Sequence, residues 1–303
     1  MSTSLPLVGA IEAGGTKFVC AIGSGPGQIL SRGRFPTDAS GHPEVTVQAC
    51  VEWFTSEQQR LGVQIAALGI GSFGPVDLAT QTITTTPKPG WGGFKLGEAF
   101  RTALGVPVGF DTDVNAAALS EHRWGAGQGA DPVVYITIGT GIGAGALVNG
   151  KLLHGALHPE MGHFLLAKAP GDSFAGVCPF HGACWEGLCS GPAIGARWNV
   201  PAQDLPADHP AWATEARYIA QGLNALLCIL SPQRIILGGS VPKGGQLGQA
   251  KFFQLIYSAL AEVNNGYLAI PQLKHPESYI VPAGLGDDAG ALGCIALAHA
   301  ALV

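Results

Sequence analysis

The sequence predicts an α/β protein built as two domains of similar plan. Three observations carry that expectation. Apolar runs rich in Val, Ile and Leu end in glycine turns, and stretches with helical periodicity separate them. One pattern occurs twice: an apolar strand, a Gly/Thr turn and a second apolar strand fill residues 11–19 and again residues 133–147. The chain of 303 residues, 47% hydrophobic and only 12% charged, is long enough for two cores.

Residues 8–22 (VGAIEAGGTKFVCAI) read as two strands around Gly14-Gly15-Thr16-Lys17. Such a turn exposes backbone N–H groups, a hydroxyl and an ammonium, a set suited to phosphate. An ordinary hairpin is the plainer reading. Glu12 lies on the strand just before it. Residues 42–60 fit a helix with Val45, Val47, Val51, Trp53 and Phe54 as its apolar members. Residues 65–70 read as a strand running into Gly71-Ser72-Phe73-Gly74-Pro75. Gly69, Gly71 and Gly74 have the spacing of a dinucleotide fingerprint. No acidic residue stands about 20 positions on and no convincing helix follows, so a polar turn that meets a substrate is expected instead.

Residues 82–91 (TITTTPKPGW) form a Thr/Pro-rich loop. Residues 106–110 read as a strand that delivers Asp111, Asp113 and Asn115 ahead of a helix over 116–124. Strand ends of this kind are where α/β proteins place chemistry; helix capping by Asp113 or Asn115 is the competing explanation. The second strand–turn–strand unit enters Gly139-Thr140-Gly141. No Gly-x4-Gly-Lys-Ser/Thr motif is present, which excludes a P-loop. A helical region over 190–198 and a long helix over 212–230 follow, the latter with Tyr218, Ile219, Leu223, Leu226, Leu227 and Leu230 near one face. A strand over 234–237 ends in Gly238-Gly239-Ser240, a glycine pair that lets a flat ring approach the backbone. A strand over 279–282 and an apolar helix over 289–301 close the sequence.

The densest chemistry lies in residues 154–192, which read HGALHPEMGHFLL, a short linker, then CPFHGACWEGLCSGP. His163 is followed by Cys178, His181 and Cys184 in a Cys-x2-His-x2-Cys run. Zinc favours four thiolate and imidazole ligands in a tetrahedron, and a filled shell leaves no open position, so a structural ion is expected. Cys189 lies outside the short spacing. Glu160 and Glu186 flank the ligands, and an ion holding residues 164–177 closed would set both acids toward a polyol. A solvated loop with buried thiols is the bland alternative.

The formal charge of -5 makes no case for nucleic acid or an anionic membrane. The N-terminal MSTSLPLVGA has no basic region and no long apolar core, so no signal peptide is expected. Residues 133–148 are broken by glycines and threonines and make a poor membrane span. The seven cysteines are odd in number and several lie in apolar segments, which suits a reduced, cytosolic protein with metal-ligand thiols.

Together these segments resemble the ROK family of sugar kinases and repressors, and within it the zinc-containing bacterial fructokinases. Residues 11–17 resemble the family's first phosphate motif and residues 139–145 its second. Residues 111–121 (DTDVNAAALSE) resemble the segment with the catalytic aspartate, which falls on Asp113. Residues 160–163 and 184–187 resemble the sugar and zinc segments, and residues 236–240 the adenosine motif. Glu12 stands where many members have Asp, and Cys178, His181 and Cys184 stand where many have three Cys. Both departures suit the fructokinase-like branch. Repressor members carry an N-terminal helix-turn-helix extension, and the first phosphate motif begins here at about residue 9, so the enzyme is expected.

The resemblance implies an actin-like, hexokinase-type (ribonuclease H-like) fold of two α/β domains with an interdomain cleft. Residues 1–115 would form the small domain, with helix 289–303 packing back on it, and residues 116–288 the large domain with the zinc loop. The implied reaction is ATP-dependent phosphorylation of D-fructose at its 6-hydroxyl. Asp113 would be the base; Asn115, Glu160, His163, Glu186, Gly74 and Pro75 would bind sugar. Gly14, Gly15, Thr16, Lys17, Gly139, Thr140, Gly141, Gly238 and Gly239 would hold ATP, with Glu12 serving Mg²⁺. His163, Cys178, His181 and Cys184 would hold Zn²⁺. A cytoplasmic homodimer is expected. The rivals are a kinase for mannose, glucose or an amino sugar, a non-catalytic sugar sensor, and an NAD-dependent dehydrogenase suggested only by the Gly69, Gly71, Gly74 spacing.

Overall fold

The computed structural model describes residues 5–303. Residues 1–4, which begin the segment read as lacking a signal peptide, lie outside the described residues. The strands are β1 (Val8–Ala13), β2 (Lys17–Gly23), β3 (Ile29–Pro36), β4 (Leu68–Ser72), β5 (Val76–Asp77), β6 (Thr82–Ile83), β7 (Val108–Thr112), β8 (Val133–Ile138), β9 (Ile142–Val148), β10 (Lys151–Leu152), β11 (Arg234–Gly238) and β12 (Ile280–Pro282). The helices are α1 (Pro43–Leu61), α2 (Leu96–Leu104), α3 (Asp113–Trp124), α4 (Trp185–Cys189), α5 (Gly191–Trp198), α6 (Ala211–Leu230), α7 (Gln249–Asn264), α8 (Pro276–Tyr279) and α9 (Ala289–Ala300). They fall into two compact units. The first holds Met1–Gly125, Leu152–Pro159 and Asp287–Val303; the second holds Ala126–Lys151 and Glu160–Gly286.

In the first unit one sheet has the order β3-β2-β1-β4-β7. β1 pairs antiparallel with β2 and parallel with β4, and β4 pairs parallel with β7. The central strands β1 and β4 are almost wholly buried, as strands covered on both faces are. Edge strand β3 alternates half-buried and exposed positions, with Arg32 and Arg34 turned outward. Phe18, Phe54, Trp91 and Phe100 fill the core under the sheet, each worth about 1.5–3 kcal/mol of burial.

Helix α9 lies directly on this sheet. A Cβ at Gly69 would stand 1.8 Å from the Cys294 carbonyl oxygen, and one at Gly109 would stand 2.2 Å from that of Leu297. Glycine weakens a strand interior unless another backbone must come close, and here one does. Gly69 and Gly71 therefore belong to β4 and to helix packing. Gly71, read as opening a substrate-facing turn, lies within β4 instead.

The helix after β7 starts at Asp113, earlier than the sequence predicts. Thr112 caps it, its Oγ1 accepting from the Asn115 N–H at 3.2 Å. Neither Asp113 nor Asn115 is the cap. α3 packs on α9 within the first unit, where a Cβ on Gly293 would meet the Ala116 carbonyl oxygen at 2.0 Å. The unit accordingly runs to Gly125 and not to residue 115, and it also takes in Leu152–Pro159.

The second unit repeats the plan, with the sheet order β10-β9-β8-β11-β12. β8 and β9 form the antiparallel hairpin, and β11 runs parallel to β8 and β12. β8 thus stands where β1 stands in the other sheet, β11 where β4 stands, and β12 where β7 stands. The strand–turn–strand repeat seen in the sequence underlies two sheets of one topology. α6 buries Trp212, Tyr218, Leu223 and Leu227, and α7 buries Phe252, Phe253, Ile256 and Leu260. Among the described residues no helix is long and apolar enough to cross a membrane.

Candidate functional site

The first unit gathers polar groups at the end of β7 and the start of α3. Asp111, the penultimate residue of β7, is 3% exposed. Its Oδ1 accepts from the Thr112 N–H at 2.8 Å and from Asn115 Nδ2 at 2.9 Å. Its Oδ2 lies 2.9 Å from His154 Nε2. Asp113 is the first residue of α3, its Oδ1 accepting from the Val114 N–H at 2.8 Å.

The turn between β1 and β2 is braced from below. Gly14 N–H donates to the Lys17 carbonyl at 3.0 Å, and Thr37 donates its hydroxyl to the Gly14 carbonyl at 2.7 Å and its N–H to that of Thr16 at 3.0 Å. From the 82–91 loop, Lys88 lies on this turn: a Cβ on Gly15 would meet Lys88 Cε at 2.7 Å and Nζ at 3.1 Å. The ammonium also sits 5.8 Å above the Phe73 ring. Buried Trp91, which contacts the rings of Phe18, Phe73 and Phe94, anchors that loop. Glu12 on β1 faces the first turn of α9, where only Gly290 leaves room for its carboxylate. Burial pushes the Glu12 carboxyl up, against the pull of Lys17, Arg32 and Arg34, and Asp287 adds to the rise. Gly74 and Pro75 follow β4 through a cis peptide, and the Pro75 carbonyl accepts both the N–H and the hydroxyl of Thr84, at 2.8 and 3.0 Å.

In the second unit residues 162–165 run beside residues 184–186. The Glu186 N–H donates to the Gly162 carbonyl at 2.8 Å, the Trp185 N–H donates to the Phe164 carbonyl at 3.0 Å, and Leu165 bridges Cys184. The Phe164 and Trp185 rings stack at 5.3 Å. This pairing carries His163 to the tight 178–182 turn. The ligand atoms of His163, Cys178, His181 and Cys184 all lie within 4.8 Å of one another. His163 Nδ1 is 3.7 Å from Cys178 Sγ and 3.5 Å from Cys184 Sγ, and His181 Nδ1 is 3.6 Å from Cys178 Sγ. A tetrahedral zinc with ordinary Zn–S and Zn–N bonds has S···N edges of about 3.6 Å, so the four groups fit that ion. Burial pushes the Cys184 thiol up to about 11, with Cys178 and Glu186 adding to it.

The other nitrogen of His163, Nε2, faces Glu186 Oε1 at 3.9 Å. Glu186 Oε2 accepts from the Ile142 N–H at 2.9 Å, and a Cβ at Gly141 would lie 2.6 Å from that oxygen. The Gly139-Thr140-Gly141 turn is therefore tied to the His/Cys cluster through one carboxylate. Loss of solvation pushes the Glu160 carboxyl up; His163 opposes this and Glu186 reinforces it. Near the same turn lies a cavity of about 440 Å³, lined by Gly191, Gln203, Ser240, Val241, Lys243 and Gly245. The Gly191 N–H donates to the Gly139 carbonyl at 2.7 Å. Gly238 and Gly239 have reasons inside the protein: a Cβ on the first would strike the Tyr135 hydroxyl at 2.3 Å, and Gly239 holds φ 88° against the Ile138 carbonyl.

Three residues escaped the sequence reading as site members: Asp111, His154 and Lys88. Asp111 stood in view beside Asp113. His154 and Lys88 reach their neighbours only through loops whose course no periodicity reveals.

The family model described as "ROK family" matches residues 8–301. The "Fructokinase" of Pediococcus pentosaceus is 41% identical over 301 residues, which cover 98% of this chain and 99% of that protein. Among solved structures, the ROK hexokinase from Thermus thermophilus superposes with a TM-score of 0.79 at 28% identity, covering 98% of this chain and 99% of that one. A ROK family glucokinase from Streptomyces griseus, solved with glucose and AMPPNP, gives 0.73 at 27% identity, covering 97% and 99%.

Proposed function

The chain belongs to the ROK family, and we propose that it transfers the γ-phosphoryl group of ATP to the 6-hydroxyl of D-fructose. The observation that carries the reading is the junction of β7 and α3, where Asp113 is the first residue of the helix and Asp111, two residues before it, gathers Asn115 and His154 on its carboxylate. Phosphoryl transfer asks mainly for positioning and charge neutralisation, with one group to take the acceptor's proton. Asp113 is that base. Asn115 is the first unit's residue for sugar hydroxyls, and Glu160, His163 and Glu186 are the sugar-binding candidates of the second unit. The braced Gly14-Gly15-Thr16-Lys17 turn, with Lys88 on it, and the Gly139-Thr140-Gly141 turn hold phosphates. The cavity beside Gly191 and Ser240 takes the nucleoside.

Mg²⁺ bound to the phosphates supplies charge neutralisation, and Glu12 is the residue that would hold it, directly or through water. Zn²⁺ suits the His163, Cys178, His181, Cys184 set and would fix residues 162–186 without an open position for chemistry. Fructose is preferred over glucose as acceptor because the fructokinase relative shares 41% of residues and the glucokinase 27%.

The test is a panel of fructose, glucose, mannose and N-acetylated amino sugars assayed with ATP and Mg²⁺. Fructose should give the highest kcat/KM. A higher value for another hexose would move the substrate assignment, and sugar binding without ATP turnover would convert the protein into a sensor.

A further inference from the structure

His154 lies on Leu152–Pro159, a segment of the first unit although the chain on both sides of it belongs to the second. Its side chain is 34% exposed, and its Nε2 is 2.9 Å from Asp111 Oδ2. Every group bonded to the Asp111 carboxylate is a donor: the Thr112 N–H, Asn115 Nδ2 and this imidazole. His154 Nε2 also lies 3.2 Å from Asn115 Nδ2; both nitrogens face the one carboxylate, so each directs a hydrogen to it and the ring proton sits on Nε2. Nδ1 then keeps its lone pair, on a ring that is partly exposed. The same carboxylate orients Asn115. A flipped amide would press Oδ1 against Asp111, so Nδ2 faces the acid and Oδ1 faces away. That Oδ1 is buried and has no hydrogen-bond partner. Unmatched acceptors of this kind call for a donor to complete them.

The Asp111 cluster at the junction of β7 and α3 thus leaves two acceptors, the partly exposed His154 Nδ1 and the buried Asn115 Oδ1, for a ligand rich in hydroxyl donors. We propose that His154 is a sugar-binding residue of the kinase, its Nδ1 accepting a hydroxyl of the hexose, and that Asp111 is the positioning residue that sets its tautomer and aim. The inference rests on the hexose-kinase reading above. His154 does not replace Asp113 as the base. It decides how the sugar lies when its 6-hydroxyl meets that base.

The experiment compares wild type with His154→Ala, His154→Gln, Asp111→Asn and the Asp111→Asn/His154→Ala double variant. Kinetics and calorimetric titration of D-fructose without ATP are measured for each. Loss of one neutral hydrogen bond to a ligand should raise the fructose Kd and KM about tenfold in His154→Ala. KM for ATP should stay put, and kcat should change far less than KM. Gln, whose Oε1 can accept, should recover part of the loss. Asp111→Asn should weaken fructose binding similarly, and the double variant should be no worse than the weaker single. A fructose Kd in a folded His154→Ala protein within about 2-fold of wild type would overturn the inference, as would additive losses in the double variant. Should the Ala variant not fold, His154→Gln and His154→Asn decide by the same Kd comparison. Wild type failing to phosphorylate any hexose overturns the kinase reading instead; wild type preferring another hexose changes only the sugar titrated.

Discussion

Glu215 on α6 is fully buried beside Arg197, with the Cys189 thiol as its hydrogen-bonding neighbour. Burial pushes its carboxyl from the ordinary 4.5 up to about 8, with Arg197 pulling the other way. The acid is therefore neutral in the folded protein near pH 7 and ionised in the unfolded chain. Below about pH 4.5 both states hold the proton and nothing is lost. From there to about pH 8 the folded state keeps a proton that the unfolded state releases, so stability falls as pH rises; above pH 8 the loss is complete. The full span corresponds to about 5 kcal/mol, and the part between pH 6 and pH 8 to about 2 kcal/mol. For a chain of this size that part is a Tm drop of about 4 °C. Glu215→Gln removes the titration and keeps the shape. Thermal unfolding of both proteins at pH 6 and pH 8 should show wild type losing about 4 °C more than the variant. Parallel losses in the two would refute the assignment of a neutral buried acid.

Asp113→Asn should leave fructose binding intact and lower kcat by about 10²–10⁴-fold, the usual cost of a missing base; near wild-type turnover would remove Asp113 from that role. Glu12→Gln should raise the Mg²⁺ concentration needed for half-maximal rate, and an unchanged Mg²⁺ titration would count against it. His181→Ala should lower bound zinc from about one per chain, the ratio a four-ligand site sets, and raise the fructose KM together with it. Purified wild type lacking zinc, or a zinc-free variant with an unaltered KM, would end that reading. Lys88→Met should raise the KM for ATP more than that for fructose, because the ammonium lies on the Gly15 turn; the opposite split would assign Lys88 to the sugar.

The repeated strand–turn–strand pattern was legible because hairpins are local: β1 with β2 and β8 with β9 are each separated by only a short turn. The His/Cys cluster was legible for the same reason, since Cys178, His181 and Cys184 lie within one loop and His163 arrives through the adjoining 162–165 pairing. The glycines of β4 misled because a glycine that admits a helix backbone looks the same in sequence as one that admits a ligand. Only the position of α9, more than 200 residues away in the chain, tells them apart. α7 was missed although Phe252, Phe253, Ile256 and Leu260 have helical spacing; the glycines at 244, 245 and 248 just before it read as loop. Asp111 looked like a companion of Asp113, and its partner His154 lies in another segment, beyond reach of any spacing argument.

The seat of α9 on β4 and β7 sets an order of events during synthesis. Residues 289–300 leave the ribosome after every residue of the second unit. At about 5–20 residues per second, Met1–Gly125 waits roughly 10–35 s for the helix that covers its glycine-bare strands. Throughout that interval the face of the sheet that carries Gly69, Gly71 and Gly109 lacks its covering helix α9, while the second unit can already close. Nascent chains of this protein are thus natural clients for chaperones that shield an unfinished N-terminal sheet. Chains stopped before residue 289 should accumulate as protease-sensitive species with a folded middle and an open beginning.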